Sequence, residues 1–447
     1  MCRPDIPPRT SSNLQLQEEK TYVPLMNFEV GWSILIQLGV TSISFFPTED
    51  GVDFETSVLK LKSRLREICE ANPWLVGKIV KDKKRHERLM CSFPNVIRDE
   101  DVDAIFSADT LDCMQAIGRS SSYKDVAKAV RKSGAICKAG HELINNSDRV
   151  TKVSLLPIND GREIAFVFSL AHVVADGQTY YQLLNMFVDD SAIESLKVER
   201  VENFDKIVVR SIGQKEKGLL ESSSLLVNLA SRKLFGAPIS KASANYIDQT
   251  KIAKAKLEAK EEYSKDPNFF VSTNDVITSA FANAADSSVL LMTLDLRGRV
   301  PEADKKHAGN YQTVLWYDRE SYDAPAKIRQ SLNQGPPFKR VSASGPLTRW
   351  QRTTASVSFI SSWAFPSFDA DIHLWKEDGS PSAPVSLHLP LYELGEQLPV
   401  PSAIVFKPCK GKIAMLSLYQ KRNDFYKRLI ASENLLGESI NEDMFVS

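Results

Sequence analysis

Short apolar runs alternate with amphipathic segments along the chain, a pattern that predicts a mixed α/β protein. The clearest example lies between Arg162 and Val188. Positions 164–170 form a short, β-rich apolar run interrupted only by small residues, which predicts a strand buried on both faces. From Tyr180 onward the apolar residues recur every three or four positions, which predicts a helix. A short tight loop is therefore expected to connect this buried strand to this helix.

The same patterns predict the other elements of the chain. The apolar stretch Trp32–Phe46 is predicted to be a core strand, and the charged run 81–88 a solvated hairpin turn. The sequence Ile158-Asn159-Asp160-Gly161 predicts a hairpin that leads into the strand at 164–170. Further helices are predicted at 54–71, 252–263 and 276–285, and further strands at 75–80, 289–296, 313–317, 355–360, 402–406 and 413–419.

A chain of 447 residues usually forms two or more domains. We expect a flexible tail over residues 1–20, an amino-terminal domain over 21–190, a crossover segment over 191–250 and a carboxy-terminal domain over 251–447. The sequence shows no internal repeat.

Composition excludes several classes of protein. Lys plus Arg equals Asp plus Glu at 56 each, so no overall basic field argues for nucleic acid binding. The six cysteines show no metal-binding spacing, which favours a reducing compartment, and no His, Cys, Asp and Glu cluster predicts a metal site. The amino terminus lacks the apolar core of a signal peptide, and residues 30–46 are too short and polar for a membrane span. A cytoplasmic, monomeric protein is expected.

The candidate chemistry lies in the loop that follows the buried strand, where His172 and Asp176 are four residues apart in apolar surroundings. Burying two ionisable groups costs free energy unless they are paired or used. The spacing alone leaves a second interpretation open. Asp176 could cap the helix that follows, and His172 could be a core histidine bonded to a carbonyl.

Several motifs, taken in their order along the chain, resemble one known family. They are VPLMNFE (23–29), LREICEANPWLVGKIV (65–80), SLAHVVADG (169–177), FVSTNDVITSAFANA (270–284), LDLRGR (294–299) and SSWAFPSFDADIHLW (361–375). Together they resemble the chloramphenicol acetyltransferase-like superfamily, and most closely the BAHD-type acyl-CoA acyltransferases with their HxxxDG motif. The resemblance spans nearly the whole chain. It implies two similar-sized α/β sandwich domains with a solvent channel between them.

The resemblance also implies a reaction and roles for residues. His172 is expected to act as general base on a hydroxyl or amine of a small-molecule acceptor. That atom then attacks the thioester of acyl-CoA, the co-substrate, without a covalent acyl-enzyme or a tightly bound cofactor. Asp176 is expected to be structural and to pair with Arg297, which could otherwise be a surface residue. Gly177 keeps the loop beside His172 free of a side chain.

Other positions acquire roles only through the resemblance. Ser361 or Ser362 is the candidate donor to the oxyanion, unless both are ordinary loop serines. Three residues are candidates for contact with the pantetheine arm of coenzyme A, or alternatively for helix capping: Ser272, Thr273 and Asn274. Three others are candidates for the substrate channel: Asn310, which could instead be a turn residue, Trp363 and Asp371.

The sequence departs from the family pattern at two places, and both departures bear on the function. The family motif D-F-G-W-G is replaced by Asp371-Ile372-His373-Leu374-Trp375, where both glycines are lost and His373 is interpreted as a surface-loop histidine. Ala171 replaces the first histidine of the condensation-domain motif, which argues against peptide condensation. Alternatives to the acyl-CoA enzyme are a relative that uses carrier-protein thioesters or lipid alcohols, and a catalytically silent ligand-binding protein.

Overall fold

The computed structural model describes residues 19–82, 88–236, 239–263, 268–342, 347–366, 368–392, 399–420, 424–431 and 435–440. The predicted fold class is confirmed, since the protein is a mixed α/β structure built on two large sheets. Most of the predicted tail and of the predicted hairpin turn, residues 1–18 and 83–87, lie outside the described residues.

The strands are β1 (Lys20–Pro24), β2 (Val40–Pro47), β3 (Lys78–Lys81), β4 (Leu89–Pro94), β5 (Phe106–Ser107), β6 (Thr151–Ile158), β7 (Glu163–Leu170), β8 (Ile239–Ile247), β9 (Val289–Asp295), β10 (Gln312–Asp318), β11 (Val357–Ser362), β12 (His373–Trp375), β13 (Pro381–Pro384), β14 (Leu387–Leu391), β15 (Ser402–Phe406), β16 (Ala414–Gln420) and β17 (Leu436–Ser439).

The helices are α1 (Trp32–Leu35), α2 (Phe54–Ala71), α3 (Asp99–Asp103), α4 (Asp112–Gln115), α5 (Tyr123–Ser133), α6 (Gly140–Leu143), α7 (Gly177–Asn185), α8 (Phe204–Ile212), α9 (Gln214–Leu220), α10 (Ser223–Phe235), α11 (Gln249–Tyr263), α12 (Thr273–Ala285), α13 (Arg319–Tyr322), α14 (Pro325–Asn333), α15 (Arg349–Thr354) and α16 (Phe425–Ile430). Within the described parts of the chain, no helix is both long and apolar enough to span a lipid bilayer.

The amino-terminal half is built on a five-stranded sheet with the order β14-β2-β7-β6-β5. Strand β7 lies at its centre, pairs antiparallel with β2 and β6, and is buried along its whole length. Its side chains therefore pack on both faces of the sheet, which explains why the run at 164–170 is apolar rather than alternating with polar residues. The predicted strand, loop and helix follow one another here, because β7 ends at Leu170 and α7 begins at Gly177.

The carboxy-terminal half is built on a seven-stranded sheet with the order β10-β9-β11-β15-β16-β8-β17. Strand β11 pairs parallel with both β9 and β15, so these three strands end at the same edge of the sheet. The family-like motif that contains Arg297 directly follows β9, and Trp363 directly follows β11. The topology thus places both motifs at one edge.

The two halves exchange segments. Strand β14 pairs antiparallel with β2, with Leu389 opposite Ile43, although it comes from the predicted carboxy-terminal domain. The β12–β13 hairpin also reaches the amino-terminal half, where the Asp53 amide before α2 donates to the Trp375 carbonyl at 2.8 Å. Conversely, β8 begins within the predicted crossover segment yet belongs to the carboxy-terminal sheet. The chain therefore crosses between the halves more often than a linear division into domains implies.

The prediction of a single strand over Trp32–Phe46 is wrong at its amino-terminal end. The structure contains a short helix, α1, over Trp32–Leu35, and the strand β2 begins only at Val40. The break lies at Gly39, where an added Cβ atom would lie 2.8 Å from both the Cys137 Cβ and the Ser169 Oγ atoms. Close backbone approach at this glycine, which the apolar pattern does not reveal, separates the two elements.

The core continues from one half into the other. One cluster of buried residues contains Phe45, Trp74 and Phe166 of the amino-terminal half together with Leu291 and Phe359 of the second sheet. A separate cluster lies on the far side of the second sheet, around Phe281 and Tyr317. The inward face of the second sheet therefore packs toward the first half, and the cavity described below lies along this face.

Candidate active site

A cavity of about 650 Å³ lies between the two halves, and His172 forms part of its wall. His172 follows β7 by two residues, in the loop that connects this strand to α7. Its Nδ1 atom is buried and has no hydrogen-bond partner among the described residues. Nε2 is therefore the ring nitrogen that can face a molecule in the cavity.

The surroundings of His172 favour the neutral imidazole. Burial is the largest influence and lowers the pKa of His172 below its usual value. The backbone carbonyl of His172, the Asp176 carboxylate, the Asn310 side chain and the Glu29 carboxylate act in the opposite direction but do not outweigh burial. A neutral ring has one nitrogen lone pair available to accept a proton, which is the property required of a general base.

His388 shows what a structural histidine looks like in this protein. It is fully buried, its Nδ1 atom lies 2.9 Å from the Ser44 hydroxyl, and its Nε2 atom lies 3.1 Å from the Tyr181 hydroxyl. Burial lowers the pKa of His388 to about 3. Both ring nitrogens of His388 are thus occupied in the core. His172 differs because one edge of its ring reaches the cavity, so the core-histidine interpretation describes His388 rather than His172.

Asp176 is 1% exposed and lies in a bidentate ion pair with Arg297. Its two carboxylate oxygens accept from Arg297 Nη1 at 2.8 Å and Nη2 at 3.1 Å, and they also accept from the Thr179 amide at 3.0 Å and the Tyr311 amide at 3.0 Å. Asp176 is therefore both the N-cap of α7 and the partner of Arg297. Neither side chain lines the cavity. The pair therefore holds the loop away from the cavity, whereas His172 forms part of the cavity wall.

Arg297 is itself fully engaged with surrounding backbone. Its Nε atom donates to the His307 carbonyl at 2.7 Å and its Nη2 atom donates to the Gly309 carbonyl at 2.8 Å. Burial alone lowers the pKa of Arg297, but the Asp176 and Asp295 carboxylates together outweigh burial and the pKa is raised. Arg297 is therefore charged, and it joins the loop that carries His172 to the segment 307–311.

The structure separates the two serine candidates. Ser361 lines the cavity, whereas Ser362, the next residue in strand β11, is directed to the other face of the sheet. The Ser361 hydroxyl oxygen accepts a hydrogen bond from the Thr293 hydroxyl at 2.9 Å. Because Thr293 supplies that proton, the proton of Ser361 remains available for donation into the cavity. Both serines lie in a strand, and not in a loop as the family motif suggests.

We expect Ser361→Ala to lower kcat for acyl transfer by about 100-fold, the lower end of the effect of losing one oxyanion donor. The acyl-CoA KM should change little, because the hydrogen bond forms only when negative charge develops on the oxygen. Steady-state kinetics with Ser362→Ala as the matched control checks this prediction. Equal activities of the two variants would exclude Ser361 as the donor.

The cavity wall combines both halves with the crossover helices α8 to α10, and it is mainly apolar. Trp363 and Gly177 face each other in this wall, and a Cβ atom added to Gly177 would lie 3.4 Å from the Trp363 ring. The apolar side chains of the wall are Phe28, Ile34, Leu38, Val40, Ile136, Val208, Ile212, Leu220, Leu225, Leu229, Leu291, Val314, Phe359, Trp363 and Leu391. The sequence did not predict that the crossover helices contribute to this wall.

The three candidates for the pantetheine arm do not line this cavity. Ser272 is the N-cap of α12, where its hydroxyl accepts from the Asp275 amide at 3.2 Å and the Asp275 carboxylate accepts from its amide at 2.7 Å. The Thr273 hydroxyl accepts from Lys256 Nζ at 2.8 Å, and the Asn274 Oδ1 atom is buried. For Ser272 the helix-capping alternative describes the observed contacts, because this capping box satisfies both groups.

Two candidates for the channel lie elsewhere. Asn310 is fully buried, and its Nδ2 atom donates to the His172 carbonyl at 2.8 Å, so it lies behind the loop and does not line the cavity. Asp371 accepts from Lys410 Nζ at 2.5 Å and lies 3.4 Å from His373 Nε2. His373 is in strand β12 and its Nδ1 atom lies 2.9 Å from the Ser382 carbonyl. Neither side chain is therefore in the wall of this cavity: Asn310 contacts the backbone of the loop, and Asp371 contacts an ion-pair partner.

Sequence reasoning missed two charged residues beside the loop, Glu29 and Arg200. Both are buried and form an ion pair of 2.9 Å. Glu29 ends the motif VPLMNFE, and the signal that could have revealed it is a lone carboxylate in an apolar stretch. Among the described residues, no group of three or more His, Cys, Asp and Glu side chains could hold a metal ion.

No family model matches the chain, and no curated protein matches it. Solved structures do match. Among them is F. graminearum TRI101 complexed with coenzyme A and T-2 mycotoxin, which is 14% identical, with a TM-score of 0.53 over 92% of this chain and 97% of that one. Vinorine synthase is 12% identical, with a TM-score of 0.51 over 92% and 95% of the two chains.

A third structure with this fold is TRI3 trichothecene 15-O-acetyltransferase from Fusarium sporotrichioides. It is 11% identical to the chain, with a TM-score of 0.55 over 92% of this chain and 93% of that one. At these identities the likeness establishes the fold. The predicted two-domain α/β fold is therefore confirmed over almost the whole chain, as the fold that these structures share.

Proposed function

On the basis of this fold and this cavity, we propose that the protein transfers an acyl group from acyl-CoA to a hydroxyl or amine of a small-molecule acceptor. The single observation that carries the proposal is the position of His172, whose ring reaches a mainly apolar cavity between the halves while its loop is held from behind. TRI101 has been crystallised with coenzyme A and with T-2 mycotoxin, which supports a thioester donor and a small acceptor here.

The reaction proceeds by direct transfer. Nε2 of His172 takes the proton of the acceptor hydroxyl or amine as that atom attacks the thioester carbonyl. The carbonyl oxygen becomes negatively charged, and the Ser361 hydroxyl donates a hydrogen bond to it. When the tetrahedral intermediate collapses, the carbon–sulfur bond breaks, and the departing thiolate takes the proton back from the His172 imidazolium. No residue of the protein forms a covalent bond with the acyl group.

The cavity favours an acceptor with a mainly apolar body. Aliphatic and aromatic side chains outnumber polar ones in its wall. Besides His172, the polar lining residues are Asn27, Ser33, Gln37, Thr41, Asp205, Lys217, Glu221, Thr293, Gln312, Thr313, Ser361 and Tyr392. Hydroxyls of an acceptor that lie against the apolar part of the wall would lack partners, and each unpaired buried polar group costs about 1–3 kcal/mol. An apolar alcohol or amine buries its surface and exposes only the group that reacts.

The pH dependence follows from the state of His172. Since burial lowers the pKa of this imidazole from its usual value of 6.5, the ring becomes protonated and inactive only at a lower pH than an exposed histidine. We expect kcat/KM to be constant near neutral pH and to fall only as the pH drops through this lowered pKa, because protonation removes the lone pair. A pH profile of kcat/KM checks this. An acidic limb well above pH 6.5 would contradict the account.

The function is tested by free-thiol release from a panel of acyl-CoAs with pooled apolar alcohols and amines, and in parallel with pooled sugars. We expect release that depends on the acceptor and is confined to the apolar pools, together with a higher melting temperature in the presence of coenzyme A. If thiol is released only from carrier-protein thioesters, the acyl donor is a carrier-protein thioester and not acyl-CoA. If coenzyme A does not raise the melting temperature and no acyl-CoA releases free thiol, the proposal is overturned. The remaining interpretation is then a catalytically silent ligand-binding protein.

A further inference from the structure

We infer that Glu29, Arg200 and Asn310 form a second positioning unit for His172, in addition to the Asp176–Arg297 pair. The inference deepens the proposed function and rests on it for the role of His172. None of the three residues lines the cavity, so they act on the reaction through the loop and do not touch substrate.

Glu29 is 0% exposed and its carboxylate is saturated with donors. Oε2 accepts from the Met26 amide at 2.9 Å and from Arg200 Nε at 2.9 Å. Oε1 accepts from the backbone amide of Asn310 at 3.1 Å and from its side-chain Nδ2 atom at 3.2 Å. The two oxygens of this buried carboxylate therefore connect three separate segments of the chain.

Arg200 carries the contact to the catalytic loop. Its Nη2 atom donates to the Val174 carbonyl at 2.9 Å, within the loop between His172 and Asp176. Its Nη1 atom donates to the Val198 carbonyl at 2.8 Å and to the Ala308 carbonyl at 2.9 Å. Burial alone lowers the pKa of Arg200, but the Glu29 carboxylate, with smaller contributions from Tyr311 and Cys91, outweighs burial and the pKa is raised. The guanidinium therefore stays charged while it binds three carbonyls.

Asn310 links Glu29 to His172 itself. Its Nδ2 atom has two acceptors, the Glu29 carboxylate at 3.2 Å and the His172 carbonyl at 2.8 Å, and these fix the orientation of the amide. The other amide atom, Oδ1, is buried without a hydrogen-bond partner among the described residues, as is Nδ1 of His172. The Asn310 side chain thus ties the backbone carbonyl of His172 to the Glu29 carboxylate.

The segment 308–311 joins the two ion pairs into one support. The Ala308 carbonyl binds Arg200, the Gly309 carbonyl binds Arg297, and the Tyr311 amide binds Asp176. The charged groups that support the His172 loop are thus Arg297 with Asp176 and Asp295, and Arg200 with Glu29. Because each pair holds a different part of the loop, loss of either leaves the ring free to move away from its position in the cavity.

The test compares Glu29→Gln and Asn310→Ala with Glu163→Gln. Glu163 is a matched control because its side chain is 8% exposed and it pairs with Arg119 at 3.3 Å, but it lies at the opposite end of β7. We expect kcat/KM to fall by between about 10- and 100-fold in the first two variants, as for other losses of positioning, and to be unchanged in the control. Asn310→Ala retains both ion pairs and removes only the link between Glu29 and the His172 carbonyl. It therefore still tests the inference if Glu29→Gln does not fold.

A purely structural role would lower stability without changing the titration of His172. Positioning by Glu29 and Asn310 predicts that both variants move the acidic limb of kcat/KM to lower pH, because the Asn310 side chain and the Glu29 carboxylate both raise the pKa of His172. NMR titration of histidine-labelled protein, assigned with His172→Ala, measures the same shift without turnover. If the His172 titration shifts in these variants but the wild-type protein shows no acyl transfer, the positioning unit is supported and the proposed function is wrong.

If Glu29→Gln and Asn310→Ala fold and have the same kcat/KM and the same His172 titration as the Glu163→Gln control, the inference is wrong.

Discussion

His172→Ala is expected to lower kcat/KM for acyl transfer by up to about 10⁴-fold, the upper range for loss of a general base. The neighbouring groups cannot replace the imidazole, because the hydroxyl of Ser361 is a donor and the carboxylate of Asp176 is held by Arg297 behind the loop. Binding of coenzyme A should persist, since His172 is one of many side chains in the cavity wall. Thiol release and calorimetric titration with coenzyme A measure the two effects.

His373→Ala is the control for this variant. His373 is another partly exposed histidine, in strand β12, and its contacts are with Ser382 and Asp371 outside the cavity. It should retain the activity of the wild type. A His172→Ala protein that is folded and as active as His373→Ala would show that the base is elsewhere.

Arg297→Ala is expected to lower the free energy of unfolding by about 3–5 kcal/mol, as is typical when one member of a buried ion pair is removed. Asp176 is 1% exposed, so its carboxylate would remain buried with the backbone amides of Thr179 and Tyr311 as its remaining donors among the described residues. The carbonyls of His307 and Gly309 would also lose a donor. Activity should fall together with stability, since the loop of His172 loses one of its two supports.

Urea denaturation of Arg297→Ala beside Arg297→Lys and Arg210→Ala measures this. Lysine keeps the charge but cannot form the bidentate pair, so an intermediate loss is expected. Arg210 pairs with Glu302 at 2.7 Å on the surface, where 56% of the Arg210 side chain is exposed, and its loss should have little effect. Equal stabilities of Arg297→Ala and Arg210→Ala would mean that the buried pair does not hold the loop.

The sequence was most informative where a local pattern changes within a few residues. The apolar run of β7 gives way to helical spacing in α7, and this change alone locates the loop that carries His172. The motif order also brought Asp176 and Arg297 into consideration as partners, although 121 positions separate them. Neither the burial of the pair nor its four additional backbone contacts was visible in the sequence.

Features that depend on tertiary contacts were not predictable. Ser361 and Ser362 are equivalent in a motif, and only the pleat of β11 decides that Ser361 faces the cavity. The pair of Glu29 and Arg200 joins residues 171 positions apart, and charged residues are surface residues by default. Asn310 resembles a turn residue until its contact with the His172 carbonyl is seen. The exchange of β14 between the halves also has no local signal.

Rapid-quench mixing of the protein with acyl-CoA, with and without acceptor, tests direct transfer by His172 most directly. The account predicts no burst of free coenzyme A and no acyl-enzyme in the intact mass spectrum until acceptor is added. Coenzyme A and acylated acceptor should then form together, in the wild type but not in His172→Ala. A burst of coenzyme A stoichiometric with the protein, accompanied by an acyl-sized increase in its mass, would contradict direct transfer.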